Sequence, residues 1–327
     1  MFKVETIFKR NLLLDYFTNK HSKPLSSYCD EWLQNKKFSL KESSMVKYET
    51  ILRCHIKPYL GMMDPYKLTS VIIDKYINDL MNQKNLSPKT VKDILIVLNS
   101  VLNYTSKQNF GKNINIDITY PKCSKKQMKV LSQEEQRKLI DYLVANLDPC
   151  TFGILLAMFT GLRIGEVCAL KWHDISIEGR TLCICSTMQR LHQSDYKDAK
   201  TKVVITSPKS ETSQRTIPIP DSIYNICKKM SLNDSEAFVL TGSRAYMEPR
   251  TLQYRLKKYT QECGLEDVHF HTLRHTFATR CVEVGFEVKS LSEILGHATT
   301  TLTLDRYVHS SMDLKRMNMK KLEAIEF

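Results

Sequence analysis

The sequence contains no apolar run long enough to cross a bilayer. Its longest, "TFGILLAMFTGL" from Thr151 to Leu162, falls short of the ~20 residues that a spanning helix needs. The first residues, "MFKVETIFKR", lack the apolar stretch of a secretion signal. The ten cysteines include no C-x-x-C pair; only Cys183 and Cys185 come near each other, at strand spacing. A chain of 327 residues can build its own cores, so neither a disulfide framework nor a zinc site is expected, and the thiols read as reduced. These absences point to a cytoplasmic protein with no membrane partner. Also missing are a Gly-rich P-loop, an H-E-x-x-H pair and a carboxylate cluster that could hold magnesium. Nucleotide-driven and metal-assisted chemistries are therefore not expected, nor is any cofactor. Internal repeats and low-complexity tracts are absent too.

What the chain has in excess is positive charge, and it is unevenly placed. The net charge is +13; residues 1–129 hold 22 Lys+Arg against 11 Asp+Glu, and residues 130–327 hold 26 against 24. The front part therefore carries nearly all of the surplus. A solvated basic surface is the plain reading, but a segment with twice as many bases as acids favours a nucleic-acid partner. The length suits two domains, and the 42% hydrophobic content is ordinary for a globular protein.

The front part reads as a helical bundle. "SSYCDEWLQNKKF" offers Ser26 as a cap with Trp32 and Leu33 buried, and Val46, Ile51, Leu52 and Ile56 recur at helical spacing in a helix ending at Gly61. Thr69 caps a third helix carrying Ile72, Ile73, Tyr76, Ile77 and Leu80; Ser87 and Pro88 open a fourth of about five turns. The polar, basic stretch from Gly111 to Val130 reads as a linker. Beyond it, Ser132 and Glu135 form a capping box, an apolar helix starts near Thr151, and "DISIEGRTLCICS" is a hairpin turning at Glu178 and Gly179. "KVVITSPKSETSQRTIPIP" reads as a second strand pair turning at "SPKSETSQ", and after Asp221 the pattern is mostly helical. The expected fold is mainly α with a small β-sheet, an N-terminal helical bundle followed by a mixed α+β domain. Its divisions are an N-terminal extension (1–23), too short for a further domain, a helical domain (24–110), a linker (111–130), a second domain (131–311) and a tail (312–327).

In the second domain several polar residues sit where neither core nor turn demands them. Arg163 follows Gly161 between an apolar helix and a short helix carrying Glu166, and Lys209 lies in a turn. His271 and Arg274 are one turn apart in "HTLRHTFATR", and His297 follows the helix-ending Gly296. Singly, each has a bland reading: Arg163 an ion pair with Glu166, Lys209 a solvated turn residue, His271 and His297 helix caps. Together they suit one task. Guanidinium forks pair with phosphate oxygens, the helix start at His271 adds positive potential, and a lysine or histidine can protonate a leaving alkoxide. The set lacks a nucleophile, which Tyr307 would supply. That phenol follows a threonine run unsuited to a plain helix and lies between Arg306 and Val308, on what reads as a polar, flexible segment.

"TGLRIGEVCALKW", the lysine of "SPKSETSQRTIPI", "HTLRHTFATR" and "LGHATTTLTLDRYVH", in this order, resemble the tyrosine recombinase (phage integrase) family across most of residues 130–311. The lysine-rich front resembles the family's SAM-like core-binding domain in pattern. The His297 to Tyr307 spacing and the "TLDRYVH" wording are most similar to integrases of conjugative transposons and Gram-positive phages. The resemblance implies a site-specific recombinase that cleaves and rejoins double-stranded DNA through a 3′-phosphotyrosyl intermediate, without metal or ATP, to integrate or excise a mobile element. Arg163 and Arg274 would clamp the scissile phosphate, Lys209 would protonate the leaving 5′-oxygen, and His271 would serve in acid/base and phosphate contact. His297 would hydrogen-bond the phosphate, Glu166 would steady the active-site arginine and histidine, and Tyr307 would attack. Lys200, Lys202 and Arg215 lie near the same hairpin as Lys209, and His275 reads as a packing residue. The implied partners are a homo-tetramer on synapsed DNA, with a host bending protein or an excision factor. The tail, with Met312, Leu314, Met317, Leu322 and Ile325 partly at helical spacing, would either fold on its own domain or dock on a neighbouring protomer. The alternatives are a chromosome- or plasmid-dimer resolving recombinase, a type IB topoisomerase-like enzyme, and a DNA-binding protein with a decayed site.

Overall fold

The structure, a computed structural model, describes residues 23–108, 113–123, 128–193, 201–208, 213–307, 316 and 319–320. The extension at 1–22, Lys209 and all but three residues of the 312–327 tail lie outside the described residues. The chain divides into two compact units, Met1–Lys125 and Lys126–Phe327. Among the described residues no helix is long and apolar enough to cross a membrane.

The first unit is built from α1 (Leu25–Lys36), α2, α3 and α4 (Pro88–Gln108). Helix α2 runs over Glu42–Ile51, passes through a π-helical turn at Leu52–Ile56 and finishes at Lys57–Leu60. Pro58 explains the widened turn, because it has no N–H for the carbonyl one turn back and its ring crowds that carbonyl. Helix α3 (Ser70–Asn78) begins at the Thr69 cap, whose hydroxyl accepts from Ile72 N at 3.4 Å, and also ends in a π turn, Asp79–Gln83. Ser87 caps α4 through Thr90 N, as its sequence predicts. Ser26, in contrast, lies inside α1, whose N-cap is Pro24: the proline's extended backbone sets the start two residues earlier. The core comprises Leu25, Trp32, Ile56, Ile73, Leu80, Ile94 and Leu98 among others, and Trp32 donates to Ser100 Oγ at 3.2 Å. In the stretch read as linker, Ile118 is buried in this core with Ile114 and Ile116 packed against it. Alternate isoleucines lay one side of an extended segment onto the bundle.

The second unit is organised around one helix. Helix α5 (Gln133–Ala145) starts with the expected capping box, Ser132 N donating to Glu135 Oε2 at 2.7 Å and Glu135 N to Ser132 Oγ at 3.1 Å. Helix α6 (Pro149–Thr160) is buried on nearly every side from Cys150 to Met158, because α5, α7 (Ile164–Ala169), α8 (Asp221–Met230) and α10 (Phe270–Glu283) all pack on it. Asp148 caps α6 by accepting from Thr151 N at 2.7 Å, and Pro149 takes the first position, where no N–H is needed. Two small antiparallel sheets follow. β1 (Ile175–Ser176), β2 (Thr181–Ile184) and β5 (Arg215–Pro218) form one in that order, and β3 (Thr187–His192) pairs with β4 (Thr201–Thr206) in the other. The runs read as one strand pair are thus split between the sheets. β5 leaves β4 for β2 because its Ile217 joins Leu182 in the core, whereas β4 offers no fully buried residue. Helices α9 (Pro249–Glu262), α10, α11 (Val288–Leu295) and α12 (Thr300–Tyr307) complete the unit.

Gly161 ends α6 in the left-handed region at φ 67°. A Cβ there would lie 2.5 Å from Phe277 Cδ1 and 3.0 Å from Leu295 Cδ2. Gly161→Ala is expected to destabilise the unit by about 1–2 kcal/mol from backbone strain alone, with more from the displaced Phe277 ring. Equilibrium urea unfolding would show this as a lower midpoint; a native midpoint would mean that neither strain nor clash is felt.

Candidate active site

Two arginines grip one buried carboxylate, and a third lies beside them. Past Gly161 the chain enters α7 with Arg163 at the N-cap and Glu166 at the third helical position. Glu166 is 3% exposed and accepts from Arg163 N and Arg163 Nη1, both at 2.8 Å. Arg215, at the start of β5, grips the same carboxylate with both fork nitrogens, at 3.0 and 2.9 Å. Burial opposes ionisation of Glu166, but hydrogen bonding and charge from Arg215, then the charge and backbone N–H of Arg163, outweigh it. The carboxyl is held below its usual value.

The other ends of these guanidiniums close on the C-terminus of α11. Arg215 Nε donates to Ile294 O at 2.5 Å, Arg274 Nη2 to Leu295 O at 2.6 Å and Arg163 Nη2 to Gly296 O at 3.0 Å. Arg274 Nη1 also reaches Gly161 O, the end of α6, at 2.7 Å. Helix ends leave such carbonyls without intrahelical partners and carry partial negative charge, so cations suit them. Three guanidiniums against one carboxylate still leave the cluster positive. Burial first, then the charges of Arg163 and Arg215, lower Arg274 to about 9, with Glu166 and Tyr307 opposing. Arg274 is therefore charged at neutral pH, and a bound anion would be strongly favoured beside it.

The histidines and the tyrosine come from the helices around this cluster. His271 is exposed in the first turn of α10, and His275, one turn on, has its ring centroid 6.0 Å away. Helix α11 closes in a Schellman turn: Gly296 N donates to Glu293 O at 2.9 Å and His297 N to Ser292 O at 3.0 Å, with Gly296 at φ 62°. Arg215 also passes where a Cβ of residue 296 would be, 3.0 Å from Nη1, so this position suits glycine twice over. The turn directs His297 toward α12, where Nδ1 lies 2.8 Å from Thr303 Oγ1. Tyr307 ends α12 with its hydroxyl 2.7 Å from His275 Nδ1 and its ring parallel to that of His297, centroids 6.4 Å apart. A cavity of about 570 Å³ is lined by Arg163, His271, Arg274, His275 and His297. A larger one, about 670 Å³, runs along α9 and the loop before α10 without such a gathering of cations.

Arg163, Glu166, His271, Arg274, His297 and Tyr307 thus lie in one place, while Lys209 is outside the described residues. Four expectations change. Tyr307 is not on a polar, flexible segment: it is 7% exposed, its ring among Ala278, Cys281, Leu291 and Leu295. The threonine run does form a helix, because buried Thr303 satisfies its hydroxyl on His297. Arg215, noted only as a neighbour of Lys209, is a buried partner of Glu166. Strand parity was the available signal: Arg215 lies two residues before core Ile217 and so shares its inward face. His275, read as packing, touches the phenol; nothing in the local sequence distinguishes it from a helix-face histidine.

Because the Glu166 carboxyl is depressed in the fold, its stabilising contribution is complete above its ordinary value of 4.5 and is lost as the pH falls through its lower folded value. Glu166→Gln is expected to cost about 3 kcal/mol near neutrality by leaving the buried Arg215 without its counter-charge, the partly exposed Arg163 adding little. It should also flatten the acid limb of a stability–pH curve measured by urea unfolding. An acid limb as steep as that of the native chain would place the titration elsewhere.

Residues 126–313 match the phage integrase family, and residues 25–81 match the phage integrase N-terminal SAM-like domain. The chain is 31% identical over 298 residues to a tyrosine recombinase XerC-like protein of Caldanaerobacter subterraneus subsp. tengcongensis, covering 84% of this chain and 75% of that protein. It is 28% identical to the transposase of transposon Tn916 from Enterococcus faecalis, over 63% of this chain and about half (52%) of that protein. The ICEBs1 integrase of Bacillus subtilis is 24% identical over 84% of this chain and 76% of its own length. In fold, the Tn1549 transposon integrase superposes with a TM-score of 0.73 at 20% identity, covering 92% of this chain and 99% of that structure. With the family motifs gathered around one phenol and matched over more than half its length, the chain belongs to the phage integrase family, as a tyrosine recombinase of the kind found in conjugative transposons.

Proposed function

We propose that this chain cuts and rejoins double-stranded DNA in the cytoplasm at the recombination sites of a mobile element, with Tyr307 as the nucleophile. The observation that carries this is the phenol itself, hydrogen-bonded beside a cavity where Arg163 and Arg274 face histidines and positive charge is in surplus. A phosphodiester entering there brings the anion that the cluster lacks. Arg163 and Arg274 hold its non-bridging oxygens, His297 and His271 bond it, and Tyr307 Oη attacks phosphorus to give a 3′-phosphotyrosyl strand. Lys209 protonates the departing 5′-oxygen. Glu166 acts through Arg163 and Arg215, which it positions. The phosphotyrosyl ester keeps about the free energy of the phosphodiester it replaces, so a 5′-hydroxyl can reverse the step without ATP.

The first unit, with its basic excess, is the second hand on DNA in this reading, and its grip on the backbone weakens with salt. The Tn1549 integrase was solved with transposon right-end DNA and lambda integrase as a tetramer on a Holliday junction. Double-stranded DNA and assembly of four copies are the partners we assign by analogy, and a host bending protein or excision factor would add directionality. The XerC-like relative favours a second reading, resolution of chromosome or plasmid dimers. The captured DNA decides between them: element ends support the first, a chromosomal or plasmid resolution site the second.

Incubated with nicked, randomised duplex DNA, the native chain is expected to form an adduct that survives denaturation, and Tyr307→Phe none. Equal adducts from both would remove Tyr307 from the role. Arg163→Ala should bind DNA nearly as well yet cleave about 10²–10³-fold more slowly, the loss typical of one transition-state donor. It is a cleaner variant than Arg274→Ala because Arg163 is partly exposed, so water can replace its bonds to Glu166 and Gly296 O, whereas buried Arg274 would strand the carbonyls of Gly161 and Leu295. Parallel losses in binding and cleavage would overturn the assignment.

A further inference from the structure

Histidines are abundant around the phenol, and the question is which one receives its proton. His271 lies in the exposed first turn of α10. The ring of His297 lies parallel to that of Tyr307, with centroids 6.4 Å apart, and its Nδ1 is 2.8 Å from Thr303 Oγ1. His275 meets the phenol differently. Its ring is tilted 47° to that of Tyr307, and Nδ1 sits 2.7 Å from the phenolic oxygen, the separation of a direct proton transfer. The backbone fixes this approach from both sides. His275 follows Arg274, which is anchored to Gly161 O and Leu295 O, and Tyr307 is held by the apolar cluster between α10, α11 and α12.

We infer that His275 is a further catalytic residue, the proton acceptor for Tyr307 in strand cleavage. The inference rests on the reading of Tyr307 as nucleophile given above. In the step, Oη–H breaks as Oη–P forms, and the proton passes to Nδ1 of a His275 already protonated at Nε2, giving an imidazolium. The P–O5′ bond breaks with its electron pair on the 5′-oxygen, which takes a proton from Lys209. Rejoining reverses both transfers: the 5′-hydroxyl proton returns to Lys209, and the imidazolium returns its own to the departing Tyr307 oxygen. The charged and titratable groups facing His275 are His271 and Arg274 on its own helix, Arg163 from the start of α7, His297 after α11 and Tyr307 on α12. Two of these are fixed cations, which favour the phenolate over the phenol as the proton leaves.

His275→Asn keeps an acceptor near the position of Nδ1 but cannot take a proton, and His275→Ala keeps neither. Single-turnover adduct formation is read on the nicked duplex recovered from the randomised pool, from about pH 6 to about pH 9, with unfolding midpoint and DNA affinity as controls. Near neutrality both variants are expected to cleave at least about 10²-fold more slowly than the native chain. Their rates should climb about tenfold per pH unit toward the phenol's ordinary pKa of ~10, while the native rate levels off above a histidine-like value of ~6.5. A native rate for His275→Asn would overturn the inference, and so would a deficit that stays constant with pH, which is the signature of positioning alone. Should the variants fail to fold, a ring-fluorinated tyrosine at 307 in the otherwise native chain supplies the test. With enough ring fluorines the phenol is already ionised across the whole pH range sampled and needs no acceptor, so the histidine-like limb should vanish, and its persistence would overturn the proposal. No adduct from the native chain at all would instead bring down the reading of Tyr307, and this inference with it.

Discussion

The second unit depends on what the buried carboxylate of Glu166 holds. Glu166 and the carbonyls ending α6 and α11 take up Arg163, Arg215 and Arg274, and so tie together the N-terminus of α7, the start of β5, the middle of α10 and the ends of two further helices. Burying guanidiniums is costly unless their N–H groups are paired. Here the pairing is made by groups that helix ends would otherwise leave bare. Each arginine thereby satisfies a helix terminus and is itself immobilised. A cation held in this way is already oriented before any anion arrives, which is the condition under which electrostatic stabilisation of a transition state needs no reorganisation.

The same economy places the phenol. Tyr307 has an apolar body and a polar tip, and the fold treats them separately: the ring packs with Leu291, Leu295, Ala278 and Cys281, and the hydroxyl meets His275. A tyrosine on a loose segment would approach a phosphate in many orientations. One seated at a helix end against a histidine approaches in few, and proximity of this kind accounts for a large part of a catalysed rate. The Schellman turn at Gly296 links the two halves of the site, because the residue before the glycine and the glycine itself cap Arg274 and Arg163 while the residue after it, His297, lies along the Tyr307 ring.

Much of this was legible in the residue string. The helices of the front unit follow from apolar spacing and from Thr69, Ser87 and Pro88; the capping box at Ser132 and Glu135 marked the opening of the second unit; and four ordered motifs named Arg163, Glu166, His271, Arg274, His297 and Tyr307 as companions. These are local signals, in which a side chain and the backbone it serves lie within a turn of each other. The strand pairing was harder, because alternation announces a strand but not its neighbour, and β5 chose β2 for a core contact with Leu182 made between residues far apart in sequence. The Ile114, Ile116 and Ile118 segment was misleading for a similar reason: without knowing what lay beneath, its alternation was masked by the polar residues around it.

By itself, then, the sequence determined the class of fold and the distribution of charge, which are written in composition, periodicity and short-range order, and its four motifs nominated by resemblance the residues proposed to react. Tertiary structure alone decided how the set is held. That Arg215 turns inward to Glu166, that the ends of α6 and α11 serve as the seats of the arginines, and that His275 meets the phenol's hydroxyl are all outcomes of elements meeting across 21 to 133 residues of chain. No local pattern encodes such a meeting, because the energy that selects it comes from burying cations against partners that only the assembled core brings within reach.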